Sequence, residues 1–312
     1  MTIHKNLING AWIESADVIE NINPSNTDEI VGIYSKADAE QTKEAIAAAR
    51  AAFPAWSQST IQERANILDA AGQAILGRKE EIARLLASEE GKTLNEALGE
   101  AIRAGQIFKY FAAESLRING EILESVRPAI NVSITREPVG VVGIITPWNF
   151  PIAIPCGGIV AALAAGNTVI FKPSSDAVLV AWVLCRCFWR AGVSRQTLQF
   201  VPCSGAQVGS QLTGHPDVDF VILTGGTDTG MAILKQRPEV LLAAETGGKN
   251  ATIVTAMSDR GQAVKNIVYS AFGHCGQKCS ATSLLILEKE VYEDATFIRQ
   301  LVDAAGSLGG GS

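Results

Sequence analysis

Two thiols lie close together near the C-terminal end of the chain, in a stretch suited to chemistry. Residues 273–280 read GHCGQKCS, so glycines flank Cys275 and Cys279 and predict an irregular loop. A free thiol with a pKa near ~8.5 is partly thiolate at neutral pH, and sulfur is intrinsically nucleophilic. Main-chain N–H groups in such a loop favour an anion and can hold an oxyanion. The pattern indicates either a cysteine nucleophile or a buried, inert thiol, which is the commoner fate of a lone cysteine.

Three further stretches favour the nucleophile. Residues 245–250 read ETGGKN and follow the apolar run 240–244, which places the Glu245 carboxylate at the end of a predicted strand. Residues 147–151 read PWNFP, and residues 172–175 read KPSS. Ligand-binding groups of α/β folds collect at such strand ends.

Taken together and in this order, these stretches resemble the motifs of the aldehyde dehydrogenase superfamily: Pro-Trp-Asn, Lys-Pro, Thr-Gly-Ser, Glu-Leu-Gly-Gly-Lys and Gly-Gln-x-Cys. Two are inexact, since Thr246 stands for the usual Leu and Gly226 for the usual Ser. The resemblance extends from Leu7 to about Leu308. The first half is similar to the oxoglutarate-semialdehyde branch, and the later part, most plainly residues 270–281, to the pyrroline-carboxylate (glutamate-semialdehyde) branch. Both branches imply a carboxylate-bearing semialdehyde as the substrate.

Composition sets broad limits on the class of protein. The chain has 312 residues, 47% of them hydrophobic, and can bury a core. Its net charge of −6 gives no electrostatic reason to expect nucleic acid or an anionic membrane as a partner. The six cysteines form no Cys-x-x-Cys pair and only three histidines accompany them, so we expect no metal site and a reducing cytoplasm. Residues 1–12 contain no signal peptide pattern, and the uncharged run 151–171 is broken by glycines, which favours a helix and a strand over a membrane span.

The first part of the chain alternates between short strands and helices. Residues 5–12 predict a hairpin about Asn9-Gly10, and residues 23–26 predict a turn. A helix capped by Asp38 is predicted to end before Pro54, and two helices follow over 61–77 and 79–90. A long helix capped by Thr93 ends near Leu116. Residues 119–138 predict a two-stranded ribbon, which the resemblance identifies as the arm through which such chains form homo-oligomers.

After Gly140 strands and helices alternate strictly. The predicted strands cover 141–146, 168–171, 198–202, 218–223 and 240–244. This alternation predicts an α/β fold with a doubly wound, Rossmann-like parallel sheet and helices on both faces. With the resemblance, residues 1–118 and 139–245 form a dinucleotide-binding domain, and residues 246–312 begin an incomplete second α/β catalytic domain. Members of the family continue well beyond this point, so we expect a C-terminally truncated chain with an uncovered or self-associating apolar face.

The expected cofactor is NAD or NADP. The usual Gly-x-Gly-x-x-Gly after the first strand is absent, but residues 224–230, TGGTDTG, bridge a strand and a helix where main-chain N–H groups can receive a pyrophosphate. The resemblance assigns Lys172 to the adenosine ribose, and Ser175 stands where many NAD-preferring members have Glu, which leaves NADP tolerable. Cys203 replaces a common glycine and is expected to narrow the adenine side of the cleft. The full predicted cofactor set is Thr146, Pro147, Trp148, Lys172, Ser174, Ser175, Gly205, Gly209, Thr224, Gly225, Gly226, Thr227, Gly230, Glu245, Thr246 and Gly247.

The resemblance also implies catalytic roles. Cys279 attacks the aldehyde carbon, Asn149 and the Cys279 N–H hold the oxyanion, and Glu245 activates the water that hydrolyses the thioester. Cys275 is not expected to be the nucleophile, because the Gly-Gln-x-Cys motif surrounds Cys279. Turnover by this chain alone is expected to be weak or absent.

Two alternatives stay open beside aldehyde dehydrogenase activity. The chain could be a non-catalytic dinucleotide-binding fragment that keeps the motifs but lacks half of the active site. It could also be a cysteine acyltransferase or hydrolase that uses Cys279 without a nicotinamide cofactor. The lack of a clear Cys-His-Asp set disfavours this second alternative, although His274 lies nearby in the sequence.

Overall fold

A computed structural model of the chain describes residues 3–309, apart from the side chains of residues 206 and 207. The strands of this part are β1 (Ile3–His4), β2 (Asn6–Ile8), β3 (Ala11–Ile13), β4 (Val18–Ile22), β5 (Ile30–Ser35), β6 (Glu121–Glu124), β7 (Asn131–Ile134), β8 (Val141–Ile145), β9 (Thr168–Lys172), β10 (Leu198–Phe200), β11 (Phe220–Thr224), β12 (Leu241–Glu245), β13 (Ala251–Val254) and β14 (Leu284–Leu287). Its helices are α1 (Ala39–Ser57), α2 (Ile61–Gly77), α3 (Lys79–Glu90), α4 (Leu94–Ser115), α5 (Ala153–Ala164), α6 (Val178–Ala191), α7 (Ser210–Gly214), α8 (Thr227–Gln236), α9 (Arg260–Phe272), α10 (Lys289–Tyr292) and α11 (Ala295–Gly306). A π-helical turn (Gly205–Gly209) precedes α7, and a 3-10 turn (Gly273–Gly276) follows α9.

The central sheet has the predicted parallel arrangement. Five strands lie in the order β12-β11-β8-β9-β10, and every neighbouring pair among them is parallel. The hairpin β2–β3 adds two antiparallel strands beyond β10, where Leu7 pairs with Phe200. The hairpin itself was predicted from Asn9-Gly10, whereas its place at the sheet edge was not. Strand β8 comes first in the chain among these five and lies in the middle of them. The chain adds β9 and β10 on one side of β8 and then β11 and β12 on the other side.

Helices cover both faces of this sheet, as the uninterrupted apolar runs of its inner strands require. Every residue of β9 is buried, as are the first four of β8. One buried cluster joins the sheet to α2, α3, α4, α5 and α6, and a second joins it to α1, α7 and α8. The doubly wound, Rossmann-like fold class is therefore confirmed.

Helix α1 does not end before Pro54, which corrects the sequence-based boundary. It continues to Ser57 with Pro54 inside, although proline has no N–H to donate to the carbonyl four residues earlier. The last turn is held from outside: Trp56 is buried and its Nε1 donates to the Leu163 carbonyl at 3.2 Å. Packing against α5 therefore outweighs the local preference to stop at proline.

The other helix predictions in this part are confirmed. Helices α2 and α3 have the predicted bounds, and α4 begins after Thr93. Thr93 and Glu96 form a capping box, in which each side chain binds the main chain of the other residue. This cap fixes the turn between α3 and α4. The turn contacts residues 273–280, which we call the cysteine loop.

Strands β6 and β7 form the predicted antiparallel ribbon, with Glu121 opposite Ile134. All residues of both strands are exposed, including the apolar side chains of Ile122, Leu123 and Val132. An isolated two-stranded ribbon has marginal stability in water, so we expect this one to pack against another surface.

Residues after Glu245 build a smaller unit with its own core. Strands β13 and β14 are parallel, and α9, α10 and α11 bury Val264, Val291 and Phe297 with them. Several apolar side chains in this unit and on the neighbouring strand β12 are exposed to solvent, among them Leu241, Ile253, Phe272 and Ile286. Within residues 3–309 no helix combines the length and the apolar character that crossing a bilayer requires.

Candidate active site

A cavity of about 350 Å³ opens where the loops after β8 and β11 diverge at the carboxyl edge of the sheet. This is the point at which the strand order reverses, and ligands of open α/β sheets bind there. Its lining includes these predicted cofactor residues: Thr146, Pro147, Trp148, Lys172, Gly205, Gly209, Thr224, Gly225 and Gly226. The sheet thus brings together residues from four separate stretches of the sequence.

The turn from β11 into α8 leaves its main chain accessible. Gly226 is the N-cap of α8 in extended conformation and has no side chain to satisfy the first N–H groups of the helix. A Cβ added at Gly225 or Gly226 would meet only side-chain atoms, at 3.4 Å and 3.8 Å. Free N–H groups at a helix N-terminus favour a phosphate. Gly226 lacks the hydroxyl of the serine that is usual in the motif, but the main-chain N–H donors of this turn are still present.

Lys172 places a buried ammonium in the cavity wall. The residue is 7% exposed, and burial lowers the pKa of its ammonium. Its Nζ donates to the Pro173 carbonyl at 2.9 Å. An ammonium has three donors, so this geometry leaves capacity for a ligand hydroxyl. A glycine cradle and a lysine with spare donors fit a dinucleotide.

The remaining predicted cofactor residues lie around the cavity rather than in its lining. Ser174 and Ser175 follow Lys172 on the loop to α6, where the Ser175 carbonyl accepts a 2.9 Å hydrogen bond from Asn21. Gly230 packs beside Leu223 and Thr246, and Gly247 lies next to Thr227. The motif reading missed Ser210, Thr213, Thr229 and Gln236, which line the cavity. Only the helical spacing of α7 and α8 after the glycines could have indicated them.

The expected narrowing by Cys203 does not occur, which corrects that prediction. Cys203 is 1% exposed and belongs to the buried cluster that contains Val201 and Val208, and it is not among the described residues that line the cavity. Burial raises the pKa of this thiol to about 11, against the influence of Lys172. The side chain packs in a core cluster that also contains residues of α1 and α7.

Asn149 is tied to the cysteine loop. Its Nδ2 donates to the main-chain carbonyl of Gln277 at 2.6 Å, although the two residues are 128 positions apart. The main-chain carbonyl of Asn149 accepts a 2.8 Å hydrogen bond from Lys92 Nζ. An amide nitrogen carries two hydrogens, so one remains for a further acceptor. The side chain is thus held two residues before Cys279 with a donor to spare.

The cysteine loop has an unusual backbone at its start. His274 and Cys275 adopt left-handed conformations with φ of 53° and 55°, a backbone region that residues other than glycine rarely adopt. The His274 N–H donates to Glu96 Oε1 at 2.7 Å, and its ring lies 4.7 Å from that of Phe150. These contacts hold the strained turn against the α3–α4 turn.

The two thiols of the loop have different surroundings. Cys275 lies 3.8 Å from the Gly91 carbonyl, and burial together with Glu96 and Glu90 raises the pKa of its thiol. Cys279 is exposed, and its main-chain carbonyl accepts from Asn250 Nδ2 at 2.5 Å. The raised pKa disfavours the Cys275 thiolate.

Glu245 ends β12 at the same edge of the sheet. It pairs with Thr224 of β11, and its carbonyl accepts from the Gly225 N–H at 3.0 Å. Its side chain is exposed. The main chain of Glu245 thus lies beside the glycine turn of the cavity. Residues 246–250 lead from it to Asn250, which binds the cysteine loop.

A buried ion cluster, which we call the Lys92 cluster, supports both loops and was missed by the sequence reading. Lys92 Nζ lies 2.5 Å from Glu100 and 3.7 Å from Glu90, and all three side chains are almost fully buried. Glu100 Oε1 accepts from the N–H groups of Ile152 and Ala153 at the start of α5. The cluster therefore fixes the segment that carries Asn149. In the sequence the cluster is visible only as Glu90, Lys92 and Glu100 near a turn, and charged residues in such a pattern usually lie on the surface.

The fold and this site define an α/β protein with a dinucleotide-type cavity beside a cysteine loop. The model of the aldehyde dehydrogenase family matches residues 12–312, and the chain belongs to that family. An alpha-ketoglutarate semialdehyde dehydrogenase of Haloferax volcanii is 38% identical over 308 residues, which cover 97% of this chain and 64% of that protein. A 1-pyrroline-5-carboxylate dehydrogenase of Bacillus cytotoxicus is 37% identical over 295 residues, covering 92% of this chain and 57% of that one.

The fold agrees with solved structures of the family. A betaine aldehyde dehydrogenase from Staphylococcus aureus in complex with NAD+ matches with a TM-score of 0.95 and 33% identity, covering 99% of this chain and 62% of that one. The chain therefore spans about three fifths of the length of these relatives. Relatives of both kinds match along nearly the whole chain.

Proposed function

We propose that this chain is the NAD(P)-binding and cysteine-bearing part of an enzyme that oxidises a carboxylate-bearing semialdehyde to the acid. The observation that carries the proposal is the hydrogen bond from Asn149 to Gln277, which sets an amide donor beside the cysteine loop. The cavity at the sheet edge supplies the cofactor site next to it. The relatives described above are named alpha-ketoglutarate semialdehyde dehydrogenase and 1-pyrroline-5-carboxylate dehydrogenase, the two branches that the motifs resemble, and this supports the substrate class.

In the proposed reaction the Cys279 thiolate adds to the aldehyde carbon and forms a C–S bond, while the carbonyl electrons move to oxygen. The free hydrogen of Asn149 Nδ2 and the Cys279 N–H hold this oxyanion, and loss of one such donor costs about 3–4 kcal/mol. A nicotinamide held in the cavity would supply the acceptor for the hydride that leaves the carbon as the carbonyl reforms in a thioester on Cys279. Glu245 takes a proton from the water that attacks this thioester, a role worth roughly a hundred- to ten-thousandfold in rate. The C–S bond then breaks, which releases the acid and the Cys279 thiolate.

The other parts of the chain take roles that follow from this proposal. Residues 1–118 and 139–245 form the dinucleotide-binding domain, and residues 246–312 begin the catalytic domain. The ribbon 119–138 is the arm of a homo-oligomer, supported by its exposed apolar side chains, of which Ile122 is 89% and Val126 101% exposed. Sedimentation should then show an oligomer that Ile122→Lys weakens, and a monomer at all concentrations would contradict the arm.

A second candidate is a dinucleotide-binding chain without turnover. The exposed positions of Cys279 and Glu245 favour it, because acyl transfer and hydride transfer need a site that excludes water. In that case the cavity binds cofactor, and the exposed thiol and carboxylate do not react.

Formation of reduced nicotinamide by the purified chain separates the two candidates. Glutamate semialdehyde and a simple aldehyde are tested with NAD and with NADP, beside Cys279→Ala and the matched control Cys275→Ala. Turnover that is lost only in Cys279→Ala supports the enzyme. Cofactor binding by calorimetry without turnover supports the second candidate, and absence of both would refute the cofactor site itself.

A further inference from the structure

A second cavity, of about 400 Å³, lies where β3, α6 and the loop before β10 meet. Three indole rings and three guanidinium groups line it: Trp12, Trp182, Arg186, Trp189, Arg190 and Arg195. We call it the Trp-Arg cavity. None of these residues belongs to the candidate active site, and the cavity has no part in the proposed reaction.

The indole rings hold two of the arginines in place. The Arg186 guanidinium lies 4.5 Å from the centre of the Trp182 ring, and that of Arg195 lies 5.7 Å from Trp12. The rings also contact one another, with Trp12 edge-on to Trp189 at 5.6 Å. Stacking covers one face of a guanidinium while the N–H donors, which lie in its plane, stay available at the edge. The arginine heads are therefore oriented before any ligand arrives.

No salt bridge in the described part of the chain neutralises their positive charge, although the Glu81 carboxylate attracts Arg190. Within residues 3–309 no carboxylate lies within 4.0 Å of the guanidinium nitrogens of Arg186, Arg190 or Arg195. The nearby acid Glu81 is paired with Arg78 at 2.6 Å. The whole chain carries a net charge of −6, so this concentration of positive charge is a local feature.

We propose that the Trp-Arg cavity binds a phosphate-bearing anion. Guanidinium donors match phosphate oxygens in a two-pronged geometry, and several arginines together suit a group with more than one negative charge. The ligand is either free inorganic phosphate in condensed form or a phosphate ester, and the indole edges offer the second kind a surface for an attached ring. This inference does not depend on the proposed enzyme activity.

Titration calorimetry at constant ionic strength tests the site, with inorganic pyrophosphate and AMP as separate probes. The variants Arg190→Gln and Arg195→Gln each remove one exposed charge, and Arg299→Gln on α11 is a control with the same loss of charge elsewhere. We expect saturable binding by the wild type and the control, and at least tenfold weaker binding by both cavity variants. Only the binding that weakens in both cavity variants is assigned to this cavity: if AMP is the tighter probe there, the ligand class is the phosphate ester, and if pyrophosphate is the tighter probe, it is the free anion.

Two further measurements keep the result unambiguous. Trp12→Leu leaves the charge unchanged but frees Arg195 from its ring, so weaker binding there shows that the stacked geometry matters. Tryptophan emission follows the same titrations, because three of the five tryptophans line the cavity. Equal affinity in the wild type, Arg190→Gln and Arg195→Gln would overturn the proposal and place the anion elsewhere, for example at the glycine turn of the cofactor cavity.

Discussion

The Lys92 ammonium lies 2.5 Å from the Glu100 carboxylate, and neither side chain has any solvent-exposed surface. Lys92 donates at the same time to the Asn149 carbonyl, and Glu100 accepts from the first N–H groups of α5. The pair thus joins the α3–α4 turn to the segment that carries the candidate oxyanion donor. Removal of either partner affects both the stability of the fold and the geometry of the candidate site.

Lys92→Met should destabilise the chain strongly, because it leaves Glu100 buried without a counter-charge. Breaking a buried ion pair from one side typically costs about 3–5 kcal/mol. Lys109→Met is the matched control, since Lys109 pairs with Asp69 at the surface and should contribute less than about 1 kcal/mol. Urea unfolding measures both changes, and equal losses in the two variants would contradict the role of the Lys92 cluster.

Stability should also depend on the protonation of Glu90. Burial raises the pKa of Glu90 from 4.5 to about 7, against the influence of Lys92, and its Oε1 has no hydrogen-bond partner among the described residues. The folded chain therefore holds this proton more tightly than the unfolded chain. The contribution is present below pH 4.5 and is lost as the pH rises toward 7.

The measurement is the free energy of unfolding of the wild type minus that of Glu90→Gln, between about pH 5 and about pH 8. We expect this difference to fall with rising pH by an amount on the order of 2–3 kcal/mol. The exposed Glu80→Gln serves as the control and should follow the wild type. A difference that rises with pH would mean that Glu90 is ionised in the fold.

Two of the six thiols should react rapidly with an aromatic disulfide reagent in the native chain. Cys275 and Cys279 are exposed, while Cys156, Cys185, Cys187 and Cys203 are buried. Burial and two neighbouring carboxylates raise the pKa of Cys275, so Cys279 should react first. Cys279→Ser should remove the faster phase and Cys275→Ser the slower one. Four or more fast thiols would show that the core is not packed as described.

Ser175→Glu should separate the two cofactors. A carboxylate after Lys172 repels the 2′-phosphate of NADP, so NADP binding should weaken about tenfold or more, equivalent to ~1.4 kcal/mol, while NAD binding changes little. Ser175→Gln is the control of similar size without charge. Calorimetry measures both affinities, and an equal loss for NAD and NADP would place the adenosine ribose away from Ser175.

Local signals in the sequence determined much of this protein. The alternation of strand and helix after Gly140 predicted the parallel sheet, and Thr93 predicted the start of α4, because caps and periodicity act over a few residues. The order of the motifs predicted the family and the residues that meet at the sheet edge. These properties depend on the chain direction and on which face of each element is apolar, and both can be read without knowing the neighbours.

The tertiary structure decided what depends on distant partners. Helix α1 passes through Pro54 because Trp56 finds the Leu163 carbonyl, more than a hundred residues away. Asn149 meets Gln277, Lys92 is buried between two acids, and Cys203 turns into the core for the same kind of reason. Each of these arrangements depends on packing between residues far apart in the chain and on hydrogen bonding of buried polar groups. Neither can be read from the few residues around one position.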